Sequence, residues 1–380
     1  MPTDPVLALL SDLVAIDSVN PSLVPGSNGE AAIAAAIAET CRAVGLAVTL
    51  EEVAPGRPNV VAVLEGARPG RTLMFCGHTD TVGVDGMPAP FAPVEKDGRL
   101  YGRGAQDMKA GLAAMIDAAR VVASGDGLAA GRLVIACVAD EEHASLGAEA
   151  LARGWKADAA VVTEPTDLVI GVAHKGFAWI EVEIDGVAAH GSRPDQGRDA
   201  ILRAGRVLAA LEAVDRDLQR GPAHPRLGTP SLHASTITGG AEWSTYPARC
   251  LLQYERRTLP AEPGSAPLDE ARGILDAIRR ADASFAGRAR VAFAREGHEI
   301  DERAEIAQAL SASCGRLGRH AAFGGLSYWT DAQVLGRAGI PSVVFGPGGA
   351  GLHSPEEFVK VDEVLACRDV LVDLAKHYLA

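Results

Sequence analysis

Histidines and carboxylates follow four strand-like runs of this 380-residue chain and open one helical run. The apolar run at 71–77 ends in His78-Thr79-Asp80. The loop GRLYGRGAQDMKAG brings Asp107 to the start of a helical pattern, with Met108, Leu112, Met115 and Ile116 at helical spacing. LVIACVADEEHAS stops its apolar run and delivers Asp140, Glu141 and Glu142 side by side. DAAVVT, residues 158–163, ends in Glu164-Pro165, and GPGGAGLHSPEEF supplies His353 after the strand pattern PSVVFG at 341–346. Taken singly, each residue is ordinary: a strand-end Asp is most often a cap, and HxD is short. Together they are not, because the carboxyl ends of strands in an open α/β sheet are where sites form. Adjacent carboxylates repel and resist desolvation, so a buried cluster needs cations. Three carboxylates with two histidines suit two divalent ions, leaving a net charge of about +1.

The elements that must position these residues alternate as in an α/β protein. A helical pattern at 30–44 precedes strand patterns at 46–53, 58–65 and 71–77. The helix near Asp107, a strand at 132–139, a short helix near 147–153 and a strand at 158–163 follow, predicting a mostly parallel sheet covered by helices. The pattern changes near 172. In FAWIEVEIDG, Ala178, Ile180, Val182 and Ile184 face one way and Glu181 and Glu183 the other, a half-exposed strand. A helix at about 197–219 carries Ile201, Leu208, Leu211, Val214 and Leu218 as its apolar stripe. Strands near 232–238 and 248–258, a helix near 267–280 and a strand near 288–294 complete a β-α-β-β-α-β order, the ferredoxin-like plan. The expected division is therefore one domain from 1–172 and 297–380, and an inserted domain over 173–296, with the strand at 341–346 rejoining the first.

Bulk properties narrow the function classes. The chain is 48% hydrophobic and 22% charged, as a soluble globular protein is. A net charge of -13 disfavours nucleic acid or an anionic membrane as partner, and 4% aromatics leave no evident platform for stacking bases. No apolar run approaches a transmembrane span. The amphipathic start, interrupted by Asp4 and Asp12, is a poor signal peptide. Six scattered cysteines without a CxxC pair read as reduced core residues, hence a cytoplasmic location. No GxGxxG follows the first strand, which argues against a dinucleotide-binding dehydrogenase.

CGHTDTV, YGRGAQDMKAG, ADEEHASLGA, TEP, AAHGSRP and GLHSPEEF, in this order along nearly the whole chain, resemble the M20 family of dinuclear-zinc metallopeptidases and deacylases. That family includes acetylornithine deacetylase, succinyl-diaminopimelate desuccinylase, aminoacylase and glutamate carboxypeptidase. The resemblance implies an α/β fold, with a zinc-peptidase-like mixed sheet, helices on both faces and an inserted ferredoxin-like α+β lid used for dimerisation. It implies two zinc ions, with cobalt or manganese as possible substitutes. His78, Asp107 and Glu164 would hold one ion, Asp107, Glu142 and His353 the other, and the Asp107–Met108 peptide would be cis.

By the same resemblance, Glu141 is the general base, taking a proton from water and returning it to the leaving amine. Asp80 accepts the second ring N–H of His78 and fixes its tautomer. His190, in AAHGSRP, stabilises the tetrahedral oxyanion, lent across a homodimer through the lid, and Arg257, in ERRTLP, binds substrate carboxylate. Asp140 and His143 are expected to be structural or solvent-facing, and Arg256 a solvated strand residue. The glycines Gly346 and Gly348 of GPG offer backbone N–H groups to a substrate anion, or form only a turn. Two positions depart from the family: Ser244 stands where Asn is frequent and Glu255 where Asp is. The implied activity is that of a zinc-dependent amidohydrolase cleaving N-acyl amino acids in the manner of acetylornithine deacetylase. The alternatives are a dipeptidase or carboxypeptidase of the same family, and a non-catalytic binding protein on this scaffold. The latter would have lost Glu141 or a ligand, and neither is missing.

Overall fold

The computed structural model describes residues 4–320 and 322–380. These divide into two compact units. The first comprises 4–172, Ile300–Gly324 without residue 321, and Thr330–Ala380. The second comprises Ala173–Glu299 with Gly325–Trp329. The last segment was expected in the first domain.

The first unit is built on three continuous apolar strands, Thr72–His78, Arg132–Val138 and Ala159–Val162, buried nearly throughout. Unbroken apolar runs mark strands covered on both faces. The three are mutually parallel: Thr72–His78 pairs Arg132–Val138 with His78 opposite Val138, and pairs Ala159–Val162 with Cys76 opposite Val162. This register brings His78, the Asp140–Glu142 run and Glu164 out at one edge. Ser342–Val344 adds on parallel to Ala159–Val162, delivering the His353 segment to the same edge. The sheet is mixed, as the resemblance implies, and not mostly parallel as the strand pattern alone predicts. Ala47–Ala54 and Arg57–Glu65 form an antiparallel hairpin, Arg57–Glu65 pairs antiparallel with Arg132–Val138, and Ile170–His174 meets Ser342–Val344 antiparallel. The hairpin's two strands, joined by two residues, can only run antiparallel.

A separate small sheet joins Gly349–Ala350, Phe358–Lys360, Arg99–Tyr101 and Val94–Lys96. It ties the chain around His353 to the loop that leads into Asp107. The helix Pro5–Val14 starts at Asp4, whose side chain accepts from the Val6 N–H at 3.0 Å, and carries proline in its first turn. Gly111, in the helix Ala110–Ser124, lies so close to the Thr163 carbonyl that a Cβ would come within 2.0 Å. Only glycine lets this helix pack on the strand that leads to Glu164.

The second unit follows the order Gly176–Asp185, helix Ala200–Arg220, Ser231–Gly239, Arg249–Thr258, helix Ala266–Ala281, Ala286–Arg295. Its four strands are antiparallel, with Gly176–Asp185 and Arg249–Thr258 central and Ser231–Gly239 at one edge. Ala178, Ile180, Val182 and Ile184 face the helices, as their alternation predicts, and join Cys250, Leu252, Tyr254, Val207 and Leu211 in a core of their own. Ile201 leaves the expected helical stripe and is exposed. Arg256 is not solvated. It shares the inward face with Cys250, Leu252 and Tyr254 and is buried, its Nη2 2.6 Å from Glu262 and 3.1 Å from Glu270. Strand alternation dictates the face, and two glutamates balance the buried charge.

Candidate metal centre

Asp107 sits in the turn Ala105–Lys109 ahead of the helix Ala110–Ser124. Its peptide bond to Met108 is cis, as the resemblance implies. A buried glutamate, Glu357, holds this loop. Its carboxylate accepts from Arg103 Nη1 at 2.7 Å and from the backbone N–H groups of Gly104, Gln106 and Asp107 at 3.0, 2.8 and 3.1 Å. Asp107 then turns its two oxygens to two imidazoles: Oδ1 lies 3.1 Å from His78 Nε2 and Oδ2 lies 3.3 Å from His353 Nε2. Behind His78, Glu164 Oε1 is at 3.6 Å and Glu141 Oε2 at 3.9 Å. Beside His353, Glu142 Oε2 is at 3.2 Å. The structure thus brings His78, Asp107, Glu141, Glu142, Glu164 and His353 together from five separate segments.

Asp80 is close by in a different role from the one expected. His78 Nδ1 finds the Asp80 backbone carbonyl at 2.9 Å, while its carboxylate is 3.6 Å away. That carboxylate instead accepts the backbone N–H groups of Glu141 at 3.1 Å and Glu142 at 3.2 Å, and the side-chain amide of Asn20 at 2.7 Å. The tautomer of His78 is still fixed, through the main chain.

The electrostatics are those of a site built for cations. Burial drives the carboxyls of Glu141 and Glu164 well above the ordinary range, and that of Glu142 upward, with neighbouring carboxylates adding to the effect. Burial alone would lower His78, but the charge of Glu164 and the bond to Asp107 hold it well above its usual value. His353 is raised to about 10 by its hydrogen bonds to Asp107 and Glu142. Asp107 runs the other way: burial opposes its ionisation, and the two histidines overcome that and hold it low. One oxygen, Glu142 Oε1, is buried with no hydrogen-bond partner among the described residues. Such an orphan is costly, and a cation ligand would satisfy it. His78, Glu141 and Glu164, and likewise His78, Asp107 and Glu142, each offer ligand atoms within 4.8 Å of one another. Carboxylate oxygen and imidazole nitrogen are donors that zinc accepts. The donor set fits a divalent pair.

Of the remaining expected residues, two glycines are occupied and two belong to the second unit. Gly346 and Gly348 do not leave their N–H groups free: Gly346 donates to Thr166 Oγ1 at 3.1 Å and Gly348 to Glu363 at 2.7 Å. Gly346 packs on the Thr163 and Glu164 backbone and Gly348 on Asp167, too close for any Cβ, and internal partners consume both donors. His190 and Arg257 belong to the second unit. His190 is exposed, its Nδ1 2.8 Å from Ser192 Oγ. Arg257 is half-buried over the Phe177 ring at 5.4 Å, its Nε held by Glu255 at 2.6 Å. Glu255 also accepts from Trp179 Nε1 at 2.9 Å. Asp140 is fully buried, the structural of the two alternatives, and His143 is exposed. Sequence reasoning missed Glu357, Asn20, Glu30 and Arg57. Only Glu357 carried a local signal, its place four residues after His353.

Residues 74–377 match the profile of Peptidase family M20/M25/M40. Acetylornithine deacetylase from Myxococcus xanthus is 32% identical over 339 residues, covering 87% of this chain and 86% of that protein. Among solved structures, a tripeptidase from Staphylococcus aureus superposes with a TM-score of 0.82 at 23% identity, covering 99% of this chain and 98% of that one. A dinuclear metal-binding M20 peptidase from Bacillus subtilis superposes at 0.74 and 17% identity, covering 98% and 97%.

Proposed function

The chain belongs to peptidase family M20/M25/M40, a metal-dependent hydrolase family, and on that premise we propose that it is a zinc-dependent amidohydrolase acting on N-acyl amino acids, an acetylornithine deacetylase-like deacylase. The observation that carries the reading is the single Asp107 carboxylate facing His78 with one oxygen and His353 with the other. In this reading His78, Asp107 and Glu164 hold one zinc, and Asp107, Glu142 and His353 the second. When bound, the ions supply Lewis acidity, which polarises an amide carbonyl and acidifies water.

The chain's own residues do the rest. Glu141 lies 3.9 Å from His78 and is mostly shielded from solvent, so its carboxyl holds a proton more readily than an exposed one. It takes a proton from the attacking water and passes it to the departing nitrogen. His190 is the donor to the developing oxyanion, and Arg257, aimed by Glu255, receives the substrate carboxylate. The acetylornithine deacetylase from Myxococcus xanthus supports the N-acyl amino acid class. We place the enzyme in the cytoplasm, in keeping with six buried free thiols. It is proposed to act as a homodimer through the second unit, whose Ser231–Gly239 strand has one unpaired edge in the sheet.

Two experiments test this. Zinc- and cobalt-loaded enzyme is assayed against N-acyl amino acids and dipeptides. Turnover of the former at the higher kcat/KM is expected, turnover of dipeptides alone makes it a peptidase, and no amide hydrolysis with two metals bound overturns the proposal. His190→Ala and Glu141→Ala proteins, each inactive alone, are then dissociated and mixed. If His190 serves the partner's site, activity returns on mixing; proven mixed dimers that stay inactive remove that role.

A further inference from the structure

Three carboxylates next to the candidate metal ligands are almost completely inaccessible: Glu30, Asp80 and Asp140 are 0%, 1% and 0% exposed. Buried carboxylates persist only where donors satisfy them. Here one guanidinium and one amide serve all three. Arg57 forks onto Glu30, with Nε 2.9 Å from Oε2, and places Nη1 2.7 Å from Asp140 Oδ1. Asp140, in the left-handed region at φ 70, gives its own N–H to Glu30 at 3.2 Å. The strand Arg132–Val138 thus reverses at a residue locked on both sides. The Asn20 amide then spans the gap, with Nδ2 3.1 Å from Asp140 Oδ1 and 2.7 Å from Asp80 Oδ2. Asn20 is itself fixed, its N–H on the Thr81 carbonyl at 2.9 Å and its Oδ1 accepting from Ser22 N–H at 2.8 Å. Beyond Asp80 the series ends at the backbone N–H groups of Glu141 and Glu142.

We propose that Asn20 and Arg57 are positioning residues for the reaction, fixing the backbone from which Glu141 and Glu142 project through a relay that runs from Arg57 through Asp140 and Asn20 to Asp80. The proposal rests on the reading of Glu141 as proton carrier and Glu142 as ligand. Its physical content is aim. Both glutamates hang from consecutive peptide units held by one carboxylate, and that carboxylate's place depends on a side-chain amide with two hydrogens. Alanine at position 20 has no donor, and aspartate has none when ionised. Lysine at position 57 keeps the charge but loses the planar fork that serves two carboxylates at once. Outer partners of this kind are worth about 10–100-fold in metal affinity or activity.

The test uses the zinc-loaded full chain carrying Asn20→Ala or Arg57→Lys. Thermal midpoint, kcat, KM and zinc affinity by competition with a chromophoric chelator are measured for each. For Asn20→Ala, a drop in kcat of about 10–100-fold is expected, with a similar weakening of zinc and little change in KM. A smaller loss of the same kind is expected for Arg57→Lys. A mere staple of the N-terminal segment would lower the midpoint and leave kcat and zinc affinity of the folded protein at wild-type values, and that result overturns the proposal. Should Asn20→Ala not fold, Arg57→Lys, which retains charge and bulk, decides by the same criteria. Wild-type protein that binds no zinc and keeps its activity under chelation overturns the parent reading instead.

Discussion

Carboxylates crowd two regions of this molecule, and they are treated in opposite ways. On the outer face of the second unit's sheet every glutamate has a cationic or amide partner. Glu183 lies between Arg249, at 2.7 Å, and Arg288; Glu181 meets Arg290 and, at 2.9 Å, Gln253; Glu255 holds Arg257. In the first unit Asp107, Glu141, Glu142 and Glu164 face one another, with two imidazoles between them and one oxygen left orphaned. A structural carboxylate has its charge satisfied when the chain folds. A carboxylate that is to hold a metal, as proposed for this cluster, can be buried without an internal partner because a tight ion more than repays that cost.

The largest effect should come from removing what that cluster awaits. Exhaustive chelation is expected to abolish amide hydrolysis and lower the thermal midpoint. The loss of stability should be about 3–4 kcal/mol for each zinc ion removed, relative to protein in zinc at 100–1,000 times its dissociation constant. Full activity without metal, by elemental analysis, would erase the contrast between the two regions. Next, Glu141→Gln should retain two zinc ions yet lose about 10²–10⁴-fold in kcat, since only the proton carrier is gone. A variant that keeps its kcat would return Glu141 to the ligands.

The second unit supplies the control. Arg256→Ala strands Glu262 and Glu270 beside a buried gap and should cost about 3–5 kcal/mol in denaturant unfolding. On the opposite face of the sheet, Arg288→Ala removes an exposed guanidinium that pairs with Glu183 and Asp185 and should cost less than about 1 kcal/mol. Comparable values for the two would mean that burial does not govern these charges.

A subtler difference should appear in the pH dependence of the metal-free protein. Glu141 and Glu164 bind protons more tightly folded than unfolded, so their contribution is complete below the unfolded value of 4.5 and is lost as pH climbs through the folded values. His353, raised to about 10, has the same sign: its contribution is present below 6.5 and lost as pH rises through about 10. Asp107, held low, acts oppositely, its contribution being lost only on strong acidification. From pH 6.5 to about 10 the cluster's contribution therefore falls, while Lys109, lowered to about 7 by burial, acts oppositely. The gap between zinc-loaded and chelated midpoints, which Lys109 affects alike in both, should widen with pH. A gap that narrows across this interval would contradict the assignment.

What the sequence determined by itself was whatever is local. Apolar runs of strand length locate the central strands, and the residues directly after them are the cluster residues His78, Glu141, Glu142 and Glu164. The second unit's strand alternation separates Ala178 and Ile180 from Glu181, and the helix after Asp107 shows in its spacing. These features depend on chain direction and on neighbours a few positions away, which a one-dimensional pattern carries. The tertiary structure decided which way strands run against each other, and therefore that the sheet is mixed. It decided that Arg256 is balanced by two glutamates, that the Gly346 and Gly348 donors are consumed, and that Asp80 supports two backbone N–H groups while His78 is served by a carbonyl. Glu357 reaches Asp107 across 250 positions, and Asn20 reaches Asp140 across 120. Hydrogen bonds between such distant residues leave no periodic trace. Their partners are chosen by proximity in the folded state, where each buried donor and acceptor must find whatever lies within about 3 Å.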